Sequence, residues 1–477
     1  MNKWLVVWGA LLILSAPLQA KDLQLLDILQ QVVDSHPKTR AMLEQGVMQR
    51  AEKRKAEAAF DPYFSQKLSG RVSGYYDGHV LTSQVTKPLA GMGAEVFARY
   101  QLADGRFPVY EGFYDTLSGG EASVGIALSL LRGRETDERR TNLQTAALDI
   151  QLWQAQYQGL LNDQLYLAAS TYLKWYESSL KRQALEAMST TLRNSGRALQ
   201  QRVEQGDAAQ MDLDDFTSST LEVSLLQTDT EQAQAVAVAK LQDFISEPAP
   251  LAIPGTTRQQ WPFSVNDTRL RLLKQSLATH PLQLQMGLSL QNSQAQLQLA
   301  KNNLLPVLDV KASVGRDIGQ GNKTLQGTET KVGLDFSYPI GNRKNQAEQH
   351  KAQAKVRQNQ LKIADLNQKL EQQFEAAVAR WKQSQQALAL RQQAQTLAER
   401  LQRAQLARFN SGDTDMFVLN ARQTKLIKAQ MEAISAHVDQ RQAELDLFYA
   451  AAALDSLALV PNTQNPVFNE PERRINF

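Results

Sequence analysis

Two long stretches without proline constrain the fold of this 477-residue chain more than any other feature. No proline occurs between Pro108 and Pro248 or between Pro339 and Pro461, and residues 342–411 contain neither proline nor glycine. Glutamine, alanine, leucine, lysine and arginine, which all favour helix, dominate residues 342–411. This segment predicts one continuous helix of about 105 Å, at about 1.5 Å per residue, far longer than a usual globular helix.

Apolar side chains recur along this predicted helix at intervals of three and four residues. They are Ile363, Leu366, Leu370, Phe374, Ala377 and Trp381, followed by Ala394, Leu397, Leu401 and Ala404. Such spacing places them on one face of the helix and is typical of a coiled-coil seam. The other faces carry glutamine, lysine and arginine, so they suit contact with water.

The chain also repeats one pattern twice. The corresponding segments are SHP (35–37) and THP (279–281), ASVGIALSLLRGR (122–134) and TKVGLDFSYPIGNR (330–343), and RVEQGD (202–207) and RFNSGD (408–413). In both copies a further proline, Pro62 or Pro306, follows the first proline by 25 residues. The ordered recurrence of all these segments indicates a tandem duplication.

Apolar and polar residues alternate in each copy before the long helix. The alternating stretches are FSQKLSGRV (64–72) and ASVGIALSLLRGR (122–134) in the first copy, and VLDVKASVG (307–315) and TKVGLDFSYPIGNR (330–343) in the second. A period of two predicts strands with one apolar face. Each copy therefore predicts a helix, strands, a long helix, a Gly-Asp turn and a second helix.

The first copy contains an insertion between its strands. His36 and Val124 are 88 positions apart, whereas the equivalent His280 and Val332 are 52 apart. The additional residues fall within 77–120, where part of the sequence alternates and aromatic residues are frequent, as in an interfacial belt. This insertion predicts a second membrane hairpin or an enlarged extracellular loop, and an ordinary packed loop is an equal alternative.

The repeated Gly-Asp pairs interrupt the helical runs at equivalent positions. Gly206 and Gly412 can adopt the left-handed conformation that ends a helix. Asp207 and Asp413 are expected to cap the helices that follow. The two pairs are therefore predicted to form the tips of helical hairpins, opposite the strands.

Composition and motifs argue against several classes of function. The net charge is only +3, so no nucleic-acid partner is expected. The chain has no cysteine and five histidines, none at H-x-x-x-H spacing, so neither a metal site nor a cofactor is predicted. It lacks a phosphate-binding G-x-x-x-x-G-K-[ST] loop and a G-x-S-x-G elbow, and it is not predicted to be an enzyme.

The N-terminus is typical of an export signal. Residues 1–20 contain Lys3, a short apolar core from Trp4 to Leu14, and Ala20 before a polar stretch. No later stretch reaches about 18 apolar residues. The mature chain is therefore expected to leave the cytoplasm and to be periplasmic, secreted or inserted as a β-barrel.

Together these features resemble the TolC-like outer-membrane factors of the outer membrane efflux protein family. The resemblance covers nearly all of the mature chain. The segments that show it are the two HP…P segments between helix and strand, VGIALSLLRG and VGLDFSYPIG before the long helices, and the paired RVEQGD and RFNSGD tips. It implies a mixed, mainly α fold: a tandem-repeat, long α-helical coiled-coil barrel capped by an oligomeric transmembrane β-barrel. It also implies a homotrimer in the outer membrane of a Gram-negative-type cell, with the helical part in the periplasm.

The resemblance divides the chain into five segments. They are a signal peptide (1–20), a first repeat (21–245, strands within 63–131, tip near 206), a Pro-rich linker (246–268), a second repeat (269–455, strands within 306–340, tip near 412) and a C-terminal tail (456–477). One chain offers four clear strands and two further candidates. Because the smallest common barrels have about eight strands, several chains must share one barrel.

The implied function is that of a channel. The trimer would be the exit duct of a tripartite efflux pump or a type I secretion system, passing substrates across the periplasm and the outer membrane. The implied partners are a periplasmic adaptor protein, an inner-membrane RND or ABC transporter, and outer-membrane lipid. A periplasmic or secreted coiled-coil structural or adhesive protein is the alternative, and the alternating strands argue against it.

The resemblance implies two candidate sites at the tips. The candidate adaptor contacts are Arg202, Gly206, Asp207, Arg408, Gly412 and Asp413. Family members often carry two aspartates just after the second tip, but Val418 and Ala421 occupy those positions here. The first tip instead offers a candidate acidic pore entrance, formed by Asp212, Asp214 and Asp215. The alternative for these aspartates is a solvated helix face.

Overall fold

The computed structural model describes residues 24–245, 261–411 and 413–454. The predicted signal peptide, most of the predicted linker, Gly412 and the predicted C-terminal tail lie outside the described residues. The described chain forms two compact units. A sheet unit comprises residues 40–160 and 275–373, and a helical unit comprises the described parts of 1–39, 161–274 and 374–462.

The described chain contains eight α-helices and six strands, several short 3-10 turns aside. The helices are α1 (Leu25–Asp34), α2 (Pro37–Glu57), α3 (Glu138–Glu204), α4 (Gln210–Leu241), α5 (Asp267–Ser276), α6 (Pro281–Asn302), α7 (Arg343–Asn410) and α8 (Met416–Ala450). The strands are β1 (Tyr63–Gly70), β2 (His79–Leu89), β3 (Ala94–Asp104), β4 (Glu121–Ser129), β5 (Val307–Asp317) and β6 (Thr328–Ser337). The fold is thus mixed and mainly α, as predicted.

The six strands of the sheet unit form one antiparallel sheet in chain order, from β1 to β6. The insertion at 77–120 supplies β2 and β3, which form a hairpin between β1 and β4. A connection containing the 3-10 turn Val109–Tyr114 then leads into β4. The insertion is therefore two strands of the sheet followed by a loop, rather than a loop alone.

The strand register places most of the large apolar residues on one face of the sheet. One cross-strand row joins Phe64, Val85, Ala98, Val124 and Val314 through directly opposed pairs. The neighbouring row on the other face is polar and runs from Ser65 through Gln84, Arg99 and Ser123 to Gly315 and Glu329. Since side chains alternate between faces along each strand, the period-two pattern of the sequence accounts for this segregation.

Close packing joins the helices of the sheet unit. The indole N–H of Trp153, on α3, donates to the backbone oxygen of Met42 at 2.6 Å. A Cβ on Gly46 would lie 2.3 Å from the Trp153 ring, so only glycine fits there. On α7, the side-chain amide of Asn359 donates to the backbone oxygen of Ser289, at 3.1 Å, which ties α7 to α6.

The core of the helical unit is built mainly from buried aromatic and aliphatic side chains. Phe263 and Phe448 pack edge to face with ring centroids 5.3 Å apart, and both are essentially inaccessible to solvent. Trp175 and Tyr172 of α3 are equally buried. The described helices include none that is long and apolar enough to cross a membrane.

The predicted long helix is confirmed as α7, which has 68 residues. The first part of the predicted seam is also correct, because Leu370, Phe374, Ala377 and Trp381 are buried. The second part, Ala394, Leu397, Leu401 and Ala404, is wrong by one position. Because α7 is unbroken, the spacing of three and four residues continues from Trp381 and places Ala398 and Gln405 on its buried face. Both residues are buried, whereas Leu397 is 49% exposed.

Candidate functional site: the two hairpin tips

Glycine ends the first long helix through local backbone geometry. After α3 ends at Glu204, Gly206 adopts φ +80°, the left-handed conformation that other residues rarely take. The backbone N–H of Gly206 donates to the oxygen of Val203, and that of Asp207 donates to the oxygen of Arg202 at 2.8 Å. These two bonds form a Schellman motif and satisfy carbonyl groups at the helix end.

The second tip has the same backbone bond at the equivalent position. The N–H of Asp413 donates to the oxygen of Arg408 at 2.8 Å. The hydroxyl of Ser411 donates to the Asp413 carboxylate at 2.9 Å, and the Arg408 guanidinium donates to the Asp413 backbone oxygen at 3.3 Å. The duplicated sequence therefore produces a duplicated helix end.

The expectation that Asp207 and Asp413 cap the following helices is wrong. The N-cap of α4 is Ala209, whose backbone N–H donates to the carboxylate of Asp212 at 3.3 Å. The N-cap of α8 is Asp415, whose carboxylate accepts from the N–H of Val418 at 3.0 Å. Each turn continues for two residues beyond the Gly-Asp pair, which moves the capping position along the chain.

The two tips pack against each other through a shared apolar core. Its members are Leu185, Leu192, Leu199, Phe216, Val223, Met416, Leu419 and Ile427, with the partly buried Met188, Ala208, Leu213, Phe409 and Met431 packed around them. The guanidinium of Arg202 lies 5.2 Å from the centroid of the Phe409 ring. The structure thus brings Arg202 of the first tip onto the second tip.

Polar side chains are buried beside this core on α8. The Asn420 amide donates to the hydroxyl of Ser219, at 2.7 Å, and to the backbone oxygen of Asp215, which links α8 to α4. Gln423 is 1% exposed, and among the described residues neither its amide nitrogen nor its amide oxygen has a hydrogen-bond partner. Near the end of α7, the buried Gln405 donates to the Thr414 hydroxyl at 2.6 Å.

The three aspartates of the candidate pore entrance lie in the first two turns of α4. Asp212 accepts the capping bond from Ala209, and Asp214 accepts from the Gln210 amide at 3.0 Å. Asp214 and Asp215 are exposed, and Asp212 is partly exposed. All three carboxylates are therefore accessible to ions, although that of Asp212 also accepts the hydrogen bond that begins α4.

Sequence reasoning missed Asp415, Phe409 and Asn420. Asp415 had a recognisable signal, because an aspartate directly before an apolar helical run is typical of an N-cap. Phe409 occupies the position of Val203 in the aligned repeats, so the one aromatic substitution at the tips marked it. Nothing in the local sequence indicates the partners of Asn420, which are about 200 positions away. The described residues contain no cluster of three or more potential metal ligands.

Comparison with known proteins gives a consistent picture. Residues 272–453 match the family model described as outer membrane efflux protein. No curated protein sequence matches the chain significantly. The solved structures that resemble it include the outer-membrane channel OprN, with a TM-score of 0.66, 13% sequence identity and coverage of 90% of each chain.

Two further channels share the fold. The open state of the Neisseria gonorrhoeae MtrE outer membrane channel has a TM-score of 0.64 at 14% identity, covering 90% of this chain and 89% of that chain. The outer membrane protein VceC of Vibrio cholerae has a TM-score of 0.63 at 13% identity, covering 91% and 97%. The second repeat thus matches the outer membrane efflux protein family, and nine-tenths of the chain shares the fold of solved outer-membrane channels.

Proposed function

We propose that the chain is the outer-membrane exit duct of a tripartite export system. Two findings support this proposal: residues 272–453 match the outer membrane efflux protein family, and the fold is that of solved outer-membrane channels. In this proposal the sheet lies in the outer membrane and the helical part lies in the periplasm. The observation that carries the proposal is the six-stranded sheet with one apolar and one polar face, on a chain that otherwise consists mainly of long, water-compatible helices.

The apolar face of the sheet suits contact with lipid. Eight of the large apolar side chains on it are 44–74% exposed in the single chain: Phe64, Leu68, Val85, Val124, Val314, Val332, Leu334 and Phe336. The opposite face carries ion pairs, among them Lys311 with Asp335 at 2.7 Å and Lys331 with Glu121 at 3.1 Å. A sheet with these two faces suits a wall between acyl chains and an aqueous lumen.

The open edges of the sheet support assembly. In a bilayer, unpaired backbone N–H and C=O groups cost several kcal/mol each, so the β1 and β6 edges require partner strands. Copies of the same chain can supply them, and we propose a homotrimer that closes one barrel. The partners of this trimer would be a periplasmic adaptor and an inner-membrane transporter of the RND or ABC class.

The tips are the proposed contact surface for the adaptor. Arg202, Gly206 and Asp207 at the first tip match Arg408, Gly412 and Asp413 at the second, so three copies would present six related turns. Asp212, Asp214 and Asp215, which follow the first tip, are proposed as the acidic entrance to the pore. Carboxylates gathered beside a symmetry axis favour cations over anions.

Fractionation and native mass measurement test the proposed function. We expect the protein to be extracted from outer membranes only with detergent and to behave as three chains of about 53.3 kDa, less the signal peptide. In planar bilayers the purified trimer should form ion-conducting channels. A water-soluble monomer would contradict the proposal and would favour a periplasmic or secreted coiled-coil protein.

A further inference from the structure

We infer that the inserted β2–β3 hairpin widens the pore in the outer membrane, because three copies would close an eighteen-stranded barrel instead of a twelve-stranded one. The inference rests on the proposed function, since it requires three copies to share one barrel. The wider pore would admit bulky hydrated solutes that a twelve-stranded barrel would exclude.

The hairpin is part of the wall and not an appendage of it. β2 pairs with β1 from Thr86↔Tyr63 to His79↔Gly70. β3 pairs with β4 from Ala94↔Leu128 to Gln101↔Glu121. Each junction therefore has eight opposed pairs, comparable with the nine pairs between β4 and β5. A loop folded over the sheet would not continue the hydrogen-bond ladder on both sides.

The hairpin also continues the chemistry of both faces. Val85 and Ala98 stand between Phe64 and Val124 in one apolar row. On the other face, Gln84 and Arg99 stand opposite each other in the polar row, and the Arg99 guanidinium donates to the Gln84 amide oxygen at 2.9 Å. The inserted strands thus match both sides of a wall between lipid and water.

The two edges of the sheet suit pairing with a second copy. β1 and β6 contain no proline, and every residue of both strands is exposed in the single chain. The apolar face continues to each edge, with Phe64 and Leu68 on β1 and Leu334 and Phe336 on β6. Because six antiparallel strands alternate in direction, β1 of one copy and β6 of the next run antiparallel. Closure through these edges leaves no unpaired strand in lipid.

Strand number then sets the pore width. Strands about 4.8 Å apart and tilted about 40° give a backbone diameter of about 36 Å for eighteen strands and about 24 Å for twelve. After allowance of about 5 Å for side chains on each side, the open widths are about 26 Å and about 14 Å. The polar face would line this lumen, and several of its charges are paired, such as Lys311 with Asp335 and Lys331 with Glu121. A wide, hydrated lumen selects by size more than by charge.

Distances between spin labels test this width directly. The chain has no cysteine, so Val124→Cys on β4 provides a single labelling site per chain. In trimers reconstituted into lipid nanodiscs, three-fold related backbone positions should be about 31 Å apart in an eighteen-stranded barrel and about 21 Å apart in a twelve-stranded one. Pulsed electron spin resonance on the intact chain can distinguish these two distances. The length of the label side chain adds the same uncertainty to both.

A hairpin-deleted variant provides the matched comparison. Removal of residues 79–104 brings β1 next to β4. Phe64 and Val124 already lie in one cross-strand row, so we expect them to become directly opposed in the new pair. We expect the Val124→Cys distance to shorten by about 10 Å, whereas a label at Asp229→Cys on α4 should give an unchanged distance.

The outcomes separate this inference from the proposed function. A trimer whose intact chain gives the twelve-strand distance, or whose distance does not change on deletion, overturns the widened barrel and leaves the exit duct standing. An assembly of any other number of chains, determined by native mass, overturns the proposed trimer itself. If the deleted variant does not assemble, the absolute distance in the intact chain still decides between the two barrels.

Discussion

The guanidinium of Arg202 lies 5.2 Å from the centroid of the Phe409 ring, so a cation–π contact links the ends of α3 and α7. The relationship is asymmetric although the tips are duplicated. Arg408 is the counterpart of Arg202, but the counterpart of Phe409 is Val203, which has no ring. One copy of the repeat therefore supplies the cation and the other supplies the aromatic face.

We predict that Arg202 and Phe409 jointly stabilise the contact between the two tips. Arg202→Gln or Phe409→Leu should increase hydrogen exchange at the ends of α3 and α7. The coupling energy in a double-mutant cycle should be about 0.5–1 kcal/mol, as for exposed cation–π pairs. Arg197→Gln, at an exposed position on the same helix, is the matched control. Purely additive effects of the two changes would show that the contact contributes nothing.

We predict that Gly206 and Gly412 are required for the tips to engage the adaptor. Gly206→Val places a β-branched residue at φ +80°, which costs about 1 kcal/mol or more. A Cβ at Gly206 would meet no atom within 4 Å, so the cost comes from the backbone alone. With Gly412→Val added by equivalence in the repeat, export should fall while trimers still assemble.

Asparagine provides the control for this prediction, because it tolerates the left-handed conformation better than valine. Gly206→Asn together with Gly412→Asn should retain most of the export. Export assays and native mass are to be measured on the same preparations. Normal export by the double valine variant would argue against adaptor docking at the tips.

We predict that the aspartates of α4 determine ion selectivity. Replacing Asp212, Asp214 and Asp215 by asparagine keeps an oxygen that can accept the capping bond from Ala209 but removes the charge. In planar bilayers the variant should lose cation preference and block by divalent ions. Mutual repulsion of the carboxylates acts over a Debye length of about 10 Å at 0.1 M salt, so the difference should be largest at low salt.

The remaining tip aspartates serve as the comparison for charge. Asp207 and Asp413 take part in the helix ends through backbone N–H bonds, which asparagine retains, so their asparagine variants should change ion selectivity much less than the triple variant does. Unchanged selectivity in the triple variant would show that these residues are only the solvated start of α4.

We predict that Glu444 makes the stability of the helical unit depend on pH. This carboxyl is 6% exposed, and burial raises its pKa above the ordinary value. The neutral form is therefore favoured in the folded chain. Its stabilising contribution is complete below the unfolded pKa and is lost as the pH rises through the folded pKa.

Thermal unfolding in detergent between about pH 4 and pH 8 measures this effect. Glu444→Gln should flatten the decline of the melting temperature with rising pH, because the amide resembles the neutral acid. Glu222→Gln, at an exposed position on α4, is the control and should leave the decline in place. The same slope in Glu444→Gln as in the parent chain would contradict the prediction.

Much of the fold could be predicted from the spacing of apolar residues and from the positions of glycine and proline. The segment without glycine and proline became α7, and alternation at 307–315 and 330–343 marked β5 and β6. These features are local. The side chains on one face of a helix recur about every 3.6 residues and those on one face of a strand every two residues, whatever the rest of the chain does. Gly206 likewise occupies the left-handed position that its place in the sequence indicated.

The candidate site was only partly predictable. Both Gly-Asp turns were expected, but Asp212 and Asp415 interact with the helix starts instead of Asp207 and Asp413. The position of a cap depends on how many residues the chain needs to reverse direction, and that distance is set by the packing of one helix against the next. The cation–π contact of Arg202 joins residues 207 positions apart, for which local sequence has no signal.

The sequence by itself determined the long helices, the strands β1, β4, β5 and β6, and the repetition of the pattern, because these follow from local backbone and side-chain preferences. Only the tertiary structure decided that residues 79–104 lie within the sheet, that the face of α7 turns toward Ala398 and Gln405, and that the two tips share one core. Each of these depends on which surfaces meet. Contacts between distant parts of the chain select one arrangement among several that local preferences allow equally.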